Sequence, residues 1–195
     1  MREAHVERKT AETDIALTLN LDGAGRADID TGVGFLNHML ELLSFHSGFD
    51  LTVRCRGDVQ VDDHHSVEDI GIAMGQAFAE ALGDKKGIVR YGNFLLPMDE
   101  ALVLCAVDLC GRDTLGYRVT IPTEKVGAFD TELVEEFLLA FTRNAKAAVH
   151  FVQMAGTNSH HIIESVFKGL GRALGQAAAQ DPRRAGETPS SKGML

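Results

Sequence analysis

Ile15, Leu17, Leu19 and Leu21 alternate with polar or small residues, the period-two signature of a half-buried strand. The turn residues Asp22-Gly23-Ala24-Gly25 follow, and Arg26 to Asp30 is expected to return as the hairpin partner. From Phe35 to Phe45 the period lengthens. Phe35, Met39, Leu42 and Phe45 fall near 3.6 residues apart, which predicts a helix with those residues inward. Leu51, Val53 and Cys55 restore the strand period. A second helix opens at His64, carries Val67, Ile70, Met74, Ala77, Phe78 and Ala81 on one face, and stops at Gly83, a residue suited to a helix C-terminus.

The same order returns downstream. Phe94 to Met98, Ala101 to Leu109 and Tyr117 to Ile121 read as strands, Thr131 to Thr142 as a helix, Ala147 to Met154 as a strand and His160 to Ala178 as a helix. Helices segregated over a mainly antiparallel sheet predict an α+β class, each half a small sandwich of sheet and helices. The boundaries follow from the repeat: a first half over 1–93, a second over 94–180, and a tail over 181–195 with Pro182, Gly186, Pro189 and Gly193 but no core pattern. Such a tail is expected to be flexible.

The repeat carries chemistry. His64-His65-Ser66-Val67-Glu68 returns as His160-His161-Ile162-Ile163-Glu164, and each copy opens a helix. On a helix, residues three and four apart share a face, so each Glu can point with both of its His neighbours. One His-His pair is usually a solvated surface feature. Two copies with Glu at the same offset point instead to metal sites in a duplicated fold. Superposing the halves on these motifs nominates two further ligands at equivalent places on the preceding helices, His38 and Glu136. Taken alone, His38 would be read as a polar residue on an exposed helix face.

Composition narrows the setting. The chain has 195 residues, 45% hydrophobic content and no apolar run long enough to span a bilayer. Its first residues are charged and lack the apolar stretch of a secretory leader. Cys55, Cys105 and Cys110 are odd in number and scattered, which fits buried thiols in a reducing cytoplasm. A net charge of −9 without a basic tract argues against a nucleic-acid partner. It leaves room for a small anion in a local cationic pocket.

The candidate ligands are imidazole nitrogens and carboxylate oxygens with no thiolate, a set suited to Mn²⁺, Fe²⁺, Co²⁺ or Zn²⁺. Arg90, Arg112, Lys168 and the run Ser190-Ser191-Lys192 offer donors for a phosphate or carboxylate. Glu12, Asp99 and Glu100 lie between strand-like segments, where each is either an acid–base group or a turn residue. These residues alone leave open a metal-dependent enzyme, such as a dinuclear metallohydrolase, or a metal-storage protein.

A resemblance sharpens them. Arg8-Lys9-Thr10-Ala11-Glu12-Thr13, Gly34-Phe35-Leu36-Asn37-His38-Met39-Leu40, the two His-His-x-x-Glu motifs, Pro97-Met98-Asp99-Glu100 and Pro189-Ser190-Ser191-Lys192-Gly193 resemble the imidazoleglycerol-phosphate dehydratase family along essentially the whole chain. The resemblance implies a fused pair of similar βα halves, like the second domain of ribosomal protein S5. It implies a cytoplasmic enzyme of histidine biosynthesis, a hydro-lyase that converts imidazole glycerol phosphate to imidazole acetol phosphate through a metal-bound imidazolate. The assembly would be a 24-subunit shell built from trimers, with two manganese ions per active site. One ion would take His38, His65, Glu68 and His161, the other His64, His160, Glu164 and the residue at 136. A common form of the family has His at that last position, where this chain has Glu136. Arg90, Arg112, Lys168, Ser190 and Lys192 would hold the phosphate. Glu12 and Asp99 would handle protons, with the motif residues Glu68 and Glu164 as further candidates for the base.

Overall fold

The computed structural model describes residues 2–195. The first half runs β1 (Glu3–Lys9), β2 (Thr13–Asn20), β3 (Ala27–Asp30), α1 (Gly34–Ser47), β4 (Asp50–Gly57) and α2 (His64–Leu82). The second runs β5 (Tyr91–Met98), β6 (Ala101–Asp108), β7 (Thr114–Arg118), a two-stranded ribbon of β8 (Lys125–Val126) and β9 (Phe129–Asp130), α3 (Leu133–Ala145), β10 (Ala148–Ala155) and α4 (Ser159–Ala178). The two main sheets have matching orders, β1-β2-β4-β3 and β5-β6-β10-β7. In each, only the last-named edge strand runs parallel to its neighbour.

That parallel pairing corrects one expectation. Arg26–Asp30 does not fold back on β2 as a hairpin; β3 pairs with β4, Ile29 opposite Val53, and β4 lies between β2 and β3. Parallel neighbours need a crossover, and α1 supplies it. The alternation of Leu51, Val53 and Cys55, all buried, suits β4 to the interior, whereas the short polar segment Ala27–Asp30 suits an edge. The turn at Asp22–Gly25 is tied to β4: Asp50 Oδ1 accepts from the backbone N–H groups of Ala24 at 2.8 Å and Arg26 at 2.9 Å. The inward stripe of α1 also differs. Leu36, Met39, Leu40 and Leu43 are buried and Phe45 is 69% exposed, so the buried face is rotated from the expected one. β7 likewise starts and ends a few residues before the expected Tyr117–Ile121.

The helices pack across the halves. α1 lies on α4 and α2 on α3. Glycines set how closely: a Cβ at Gly171 would meet the Leu43 carbonyl at 2.8 Å, and one at Gly75 would meet the Phe141 carbonyl at 2.6 Å. Leu43 stands five residues after His38 and Phe141 five after Glu136; Gly171 stands eleven after His160 and Gly75 eleven after His64. His38 therefore sits over the start of α4 as Glu136 sits over the start of α2. The core fills the space between helices and sheets with Phe78, Phe137, Phe141, Phe151 and Phe167. Among the described residues, no helix is long and apolar enough to cross a membrane.

Candidate metal centre and anion pocket

A side chain accepts backbone N–H groups at the start of each motif helix, the N-cap Asn158 at α4 and Asp62, one residue before the N-cap, at α2. Asn158 Oδ1 accepts from the N–H of His160 at 2.9 Å and of His161 at 3.2 Å, and Asp62 Oδ1 accepts from the N–H of His64 at 2.9 Å. Capping satisfies N–H groups that a first turn leaves unpaired. It also places the histidines in that first turn, with their rings beyond the helix end.

At α4 three ligand atoms converge. His38, His160 and Glu164 offer nitrogens and a carboxylate oxygen all within 4.8 Å of one another. Nε2 of His38 and Nε2 of His160 each lie 3.0 Å from Glu164 Oε1. The other oxygen, Oε2, accepts from Lys168 Nζ at 2.5 Å. Glu164 is buried, which pushes its carboxyl upward, but the contacts with Lys168, His38 and His160 outweigh burial and hold it at about 2. It is thus a carboxylate at neutral pH. Two imidazole nitrogens and one carboxylate, convergent and without thiolate, fit a divalent ion of the manganese-to-zinc series.

The other candidates stand differently. His64 Nε2 is 3.9 Å from Glu68 Oε2, and both side chains are nearly half exposed. Glu136, on α3 over the same helix end, makes no side-chain hydrogen bond or ion pair among the described residues. His65 bonds through Nδ1 to Asp58 at 3.1 Å, and Glu12 Oε1 is 3.7 Å from its Nε2. His161 bonds through Nδ1 to Glu100 at 2.7 Å, with Asp99 Oδ2 3.7 Å from its Nε2. Within one chain, then, His38 joins His160 and Glu164 rather than His65, Glu68 and His161. Asp58 and Glu100 carry no motif signal that marks them as histidine partners. A cleft of about 620 Å³ opens beside the convergent group, lined among others by Phe35, His38, Asp63, Phe129 and His160, so it lies between the starts of α2 and α4.

The cationic residues form a second site. Arg90, Arg112, Ser190 and Lys192 line one cavity of about 430 Å³ with Tyr91, Ser191, Met194 and Leu195. The tail crosses the segment that enters β5: Gly87 N–H donates to Glu187 O at 2.8 Å, and Arg90 Nη1 to Pro189 O at 2.9 Å. Arg90 is held in turn by Asp108, at 2.8 Å and 3.2 Å, and has a left-handed φ of 77°, a costly conformation for a side-chain-bearing residue. Lys168 is not at this cavity. It sits by Glu164 and Met98, its Nζ 3.4 Å from the Met98 sulfur, at the opposite end of β5.

These features define a class: a duplicated α+β protein with a nitrogen–oxygen group that could hold a metal ion and a separate cavity lined by cationic side chains. Comparison with known proteins gives the family. The family model for imidazoleglycerol-phosphate dehydratase matches residues 31–174. The imidazoleglycerol-phosphate dehydratase of Methylobacterium radiotolerans is 57% identical over 195 residues, covering both chains completely, and that of Cereibacter sphaeroides is 56% identical over the same span. The crystal structure of the Staphylococcus aureus dehydratase superposes with a TM-score of 0.84 at 44% identity, covering 91% of this chain and 99% of that one. The Pyrococcus furiosus structure, solved in complex with (S)-C348, gives 0.84 at 36% identity, covering 97% and 100%. The chain belongs to the imidazoleglycerol-phosphate dehydratase family.

Proposed function

We propose that this chain is a metal-dependent hydro-lyase that dehydrates imidazole glycerol phosphate to imidazole acetol phosphate in histidine biosynthesis. The observation that carries the reading is the pairing, in a member of this family, of a convergent His38–His160–Glu164 group with a cavity lined by Arg90, Arg112, Ser190 and Lys192. One end suits an imidazole-binding ion and the other a phosphate.

Their separation says how they must be used. Arg90 precedes β5 and Met98 ends it, a run of about 26 Å at ~3.3 Å per residue. The helix gives the same answer: Arg90 N–H bonds to Ala177 O near the far end of α4, about 25 Å from His160 at ~1.5 Å per residue. A three-carbon phosphate ester cannot bridge that distance. This separation supports a site completed by neighbouring copies of the chain, in the proposed 24-subunit shell built from trimers. Such an assembly also allows Lys168, remote from Arg90 in its own chain, to face the phosphate pocket of another.

Two manganese ions per active site are proposed, held by His38, His64, His65, Glu68, Glu136, His160, His161 and Glu164. When bound, they supply Lewis acidity to the imidazole and the departing hydroxyl. The chain's own groups do the rest. Arg112, Ser190 and Lys192 grip the phosphate and fix the substrate's orientation. Arg90, anchored by Asp108, lines the same pocket. The tail closes over the phosphate and excludes water. A carboxylate, with Glu12 and Asp99 as first candidates and Glu68 and Glu164 as others, takes the C–H proton and passes it to the departing hydroxyl, which leaves as water; the enol left behind tautomerises to the ketone.

Incubating manganese-loaded protein with imidazole glycerol phosphate and assaying for the ketone tests this directly. Steady formation of imidazole acetol phosphate is the expected result. Its absence from fully loaded, assembled protein would overturn the reading.

A further inference from the structure

We infer that Asp58 and Glu100 are positioning carboxylates for the second histidine of each motif, orienting His65 and His161 so that Nε2 is presented to a metal ion. The inference rests on the metal-dependent reading above.

The two arrangements hold the same ring nitrogen, Nδ1, with a carboxylate. His65 Nδ1 lies 3.1 Å from both oxygens of Asp58, and His161 Nδ1 lies 2.7 Å from Glu100 Oε2. An ionised carboxylate only accepts hydrogen bonds, so each Nδ1 is the donor. A neutral imidazole has one N–H, so its lone pair is left on Nε2. In both rings Nε2 is turned toward a second carboxylate that stands off at 3.7 Å, Glu12 for His65 and Asp99 for His161. By contrast, His38 and His160 meet Glu164 through Nε2 itself. In α4 the first histidine of the motif contacts its ligand carboxylate, and in both motifs the second histidine has its free nitrogen fixed from behind.

Different elements supply the two carboxylates, so duplication of the sequence does not account for the match. Asp58 comes from the connection between β4 and α2, and Glu100 from the turn between β5 and β6. Each is itself held. Asp58 N–H donates to Glu12 O at 3.1 Å. Glu100 Oε1 accepts from the N–H groups of Thr157 at 3.1 Å and Asn158 at 2.7 Å. Glu100 therefore ties the β5–β6 turn to the start of α4, and the turn carries Asp99 with it. A ring held at Nδ1 by a carboxylate is fixed in tautomer and orientation, and a ring so fixed binds metal more strongly.

The test is Mn²⁺ binding to the metal-free full-length chain, followed by calorimetry and by the electron-spin-resonance signal of free Mn²⁺, in Asp58→Asn and Glu100→Gln. Both changes keep an acceptor oxygen and the side-chain size while removing the charge. Affinity is expected to fall about 10- to 100-fold in each, with the melting temperature of the metal-free protein moved by less than about 2 °C. Asp58→Glu and Glu100→Asp should recover part of the loss. Wild-type affinity in both charge-removing variants would overturn the inference, as would a loss matched by an equal loss of metal-free stability. If the wild-type chain itself takes up no Mn²⁺, the metal-dependent reading falls and this inference with it. If the wild type binds and the variants bind equally, only the roles of Asp58 and Glu100 fall.

Discussion

The starts of α2 and α4 carry the same His-His-x-x-Glu motif and sit under equivalent residues of α3 and α1, yet only one of them closes. Glu164 is 7% exposed and touches His38, His160 and Lys168. The Glu68 side chain is 45% exposed and has His64 alone, at 3.9 Å. Two substitutions between the halves account for this. Where α1 offers His38, α3 offers Glu136, and where α4 has Lys168 one turn after its glutamate, α2 has Ile72. Imidazoles and an ammonium gather around a carboxylate. Two carboxylates repel until a cation comes between them. Copying a motif therefore copies the ligand atoms without copying the charges that assemble them. The α4 group is organised by its own chain, and the α2 group has the charge deficit that an added ion would relieve.

Replacing the two glutamates separately should give the largest contrast. Glu164→Gln and Glu68→Gln are both expected to lower activity about a thousandfold, the equivalent of several kcal/mol of lost Lewis-acid assistance. Only Glu164→Gln should also destabilise the metal-free protein, by about 3 kcal/mol in urea unfolding, because it leaves the mostly buried Lys168 ammonium without its partner. Equal stabilities for the two variants would erase the distinction between the sites.

Metal removal probes the other side of the comparison. An α2 group that depends on an ion and on neighbouring chains links metal to assembly by mass action. Chelation should split the shell into smaller species, trimers among them, as seen by size-exclusion chromatography with light scattering. A metal-free protein of unchanged mass would show that the subunits hold together without it. Elemental analysis should find about two ions per chain before chelation.

The anion pocket should respond more modestly. Lys192→Ala is expected to raise KM for the substrate about 10- to 100-fold, from about 1.5–3 kcal/mol for a charged hydrogen bond. Metal content should stay as in the wild type, since Lys192 is not among the proposed metal ligands. A fall in metal content would mean that the two sites are coupled.

The smallest expected effect is on acid stability. Glu164 has its carboxyl held at about 2, below the ordinary 4.5. A depressed carboxyl contributes stability above its ordinary value and loses that contribution as pH falls toward the folded value. The metal-free protein should therefore weaken between about pH 4.5 and pH 2, and Glu164→Gln should flatten that part of the curve. Identical acid profiles would mean that the contacts around Glu164 contribute nothing to folding.

Much of this was legible in the chain. The face of α2, the strand period of β2 and β4, and the stop at Gly83 follow from local period and propensity, which tertiary packing did not override. The equivalence of His38 and Glu136 came from the repeat and agrees with the glycine contacts at Gly171 and Gly75. Other features carried no local signal. Arg26–Asp30 looks like a hairpin partner because a turn precedes it, and only the insertion of β4 makes it an edge strand. Phe45 fits the helical period but lies outside the face that α4 covers. Asp58 and Glu100 lie outside the matched His-His-x-x-Glu pentads that the repeat brings into register.

By itself the sequence determined the element types, the duplicated order and the donor atoms, because these depend on side-chain chemistry and short-range periodicity. The tertiary structure decided which donors meet. Crossed packing of α1 on α4 brings His38 to Glu164 across more than half the chain. The length of β5 keeps Arg90 and Lys168 apart, and the turn before β6 delivers Glu100 to His161. Such meetings depend on where helices cross and how long strands run, and a residue's own neighbours in sequence do not encode either.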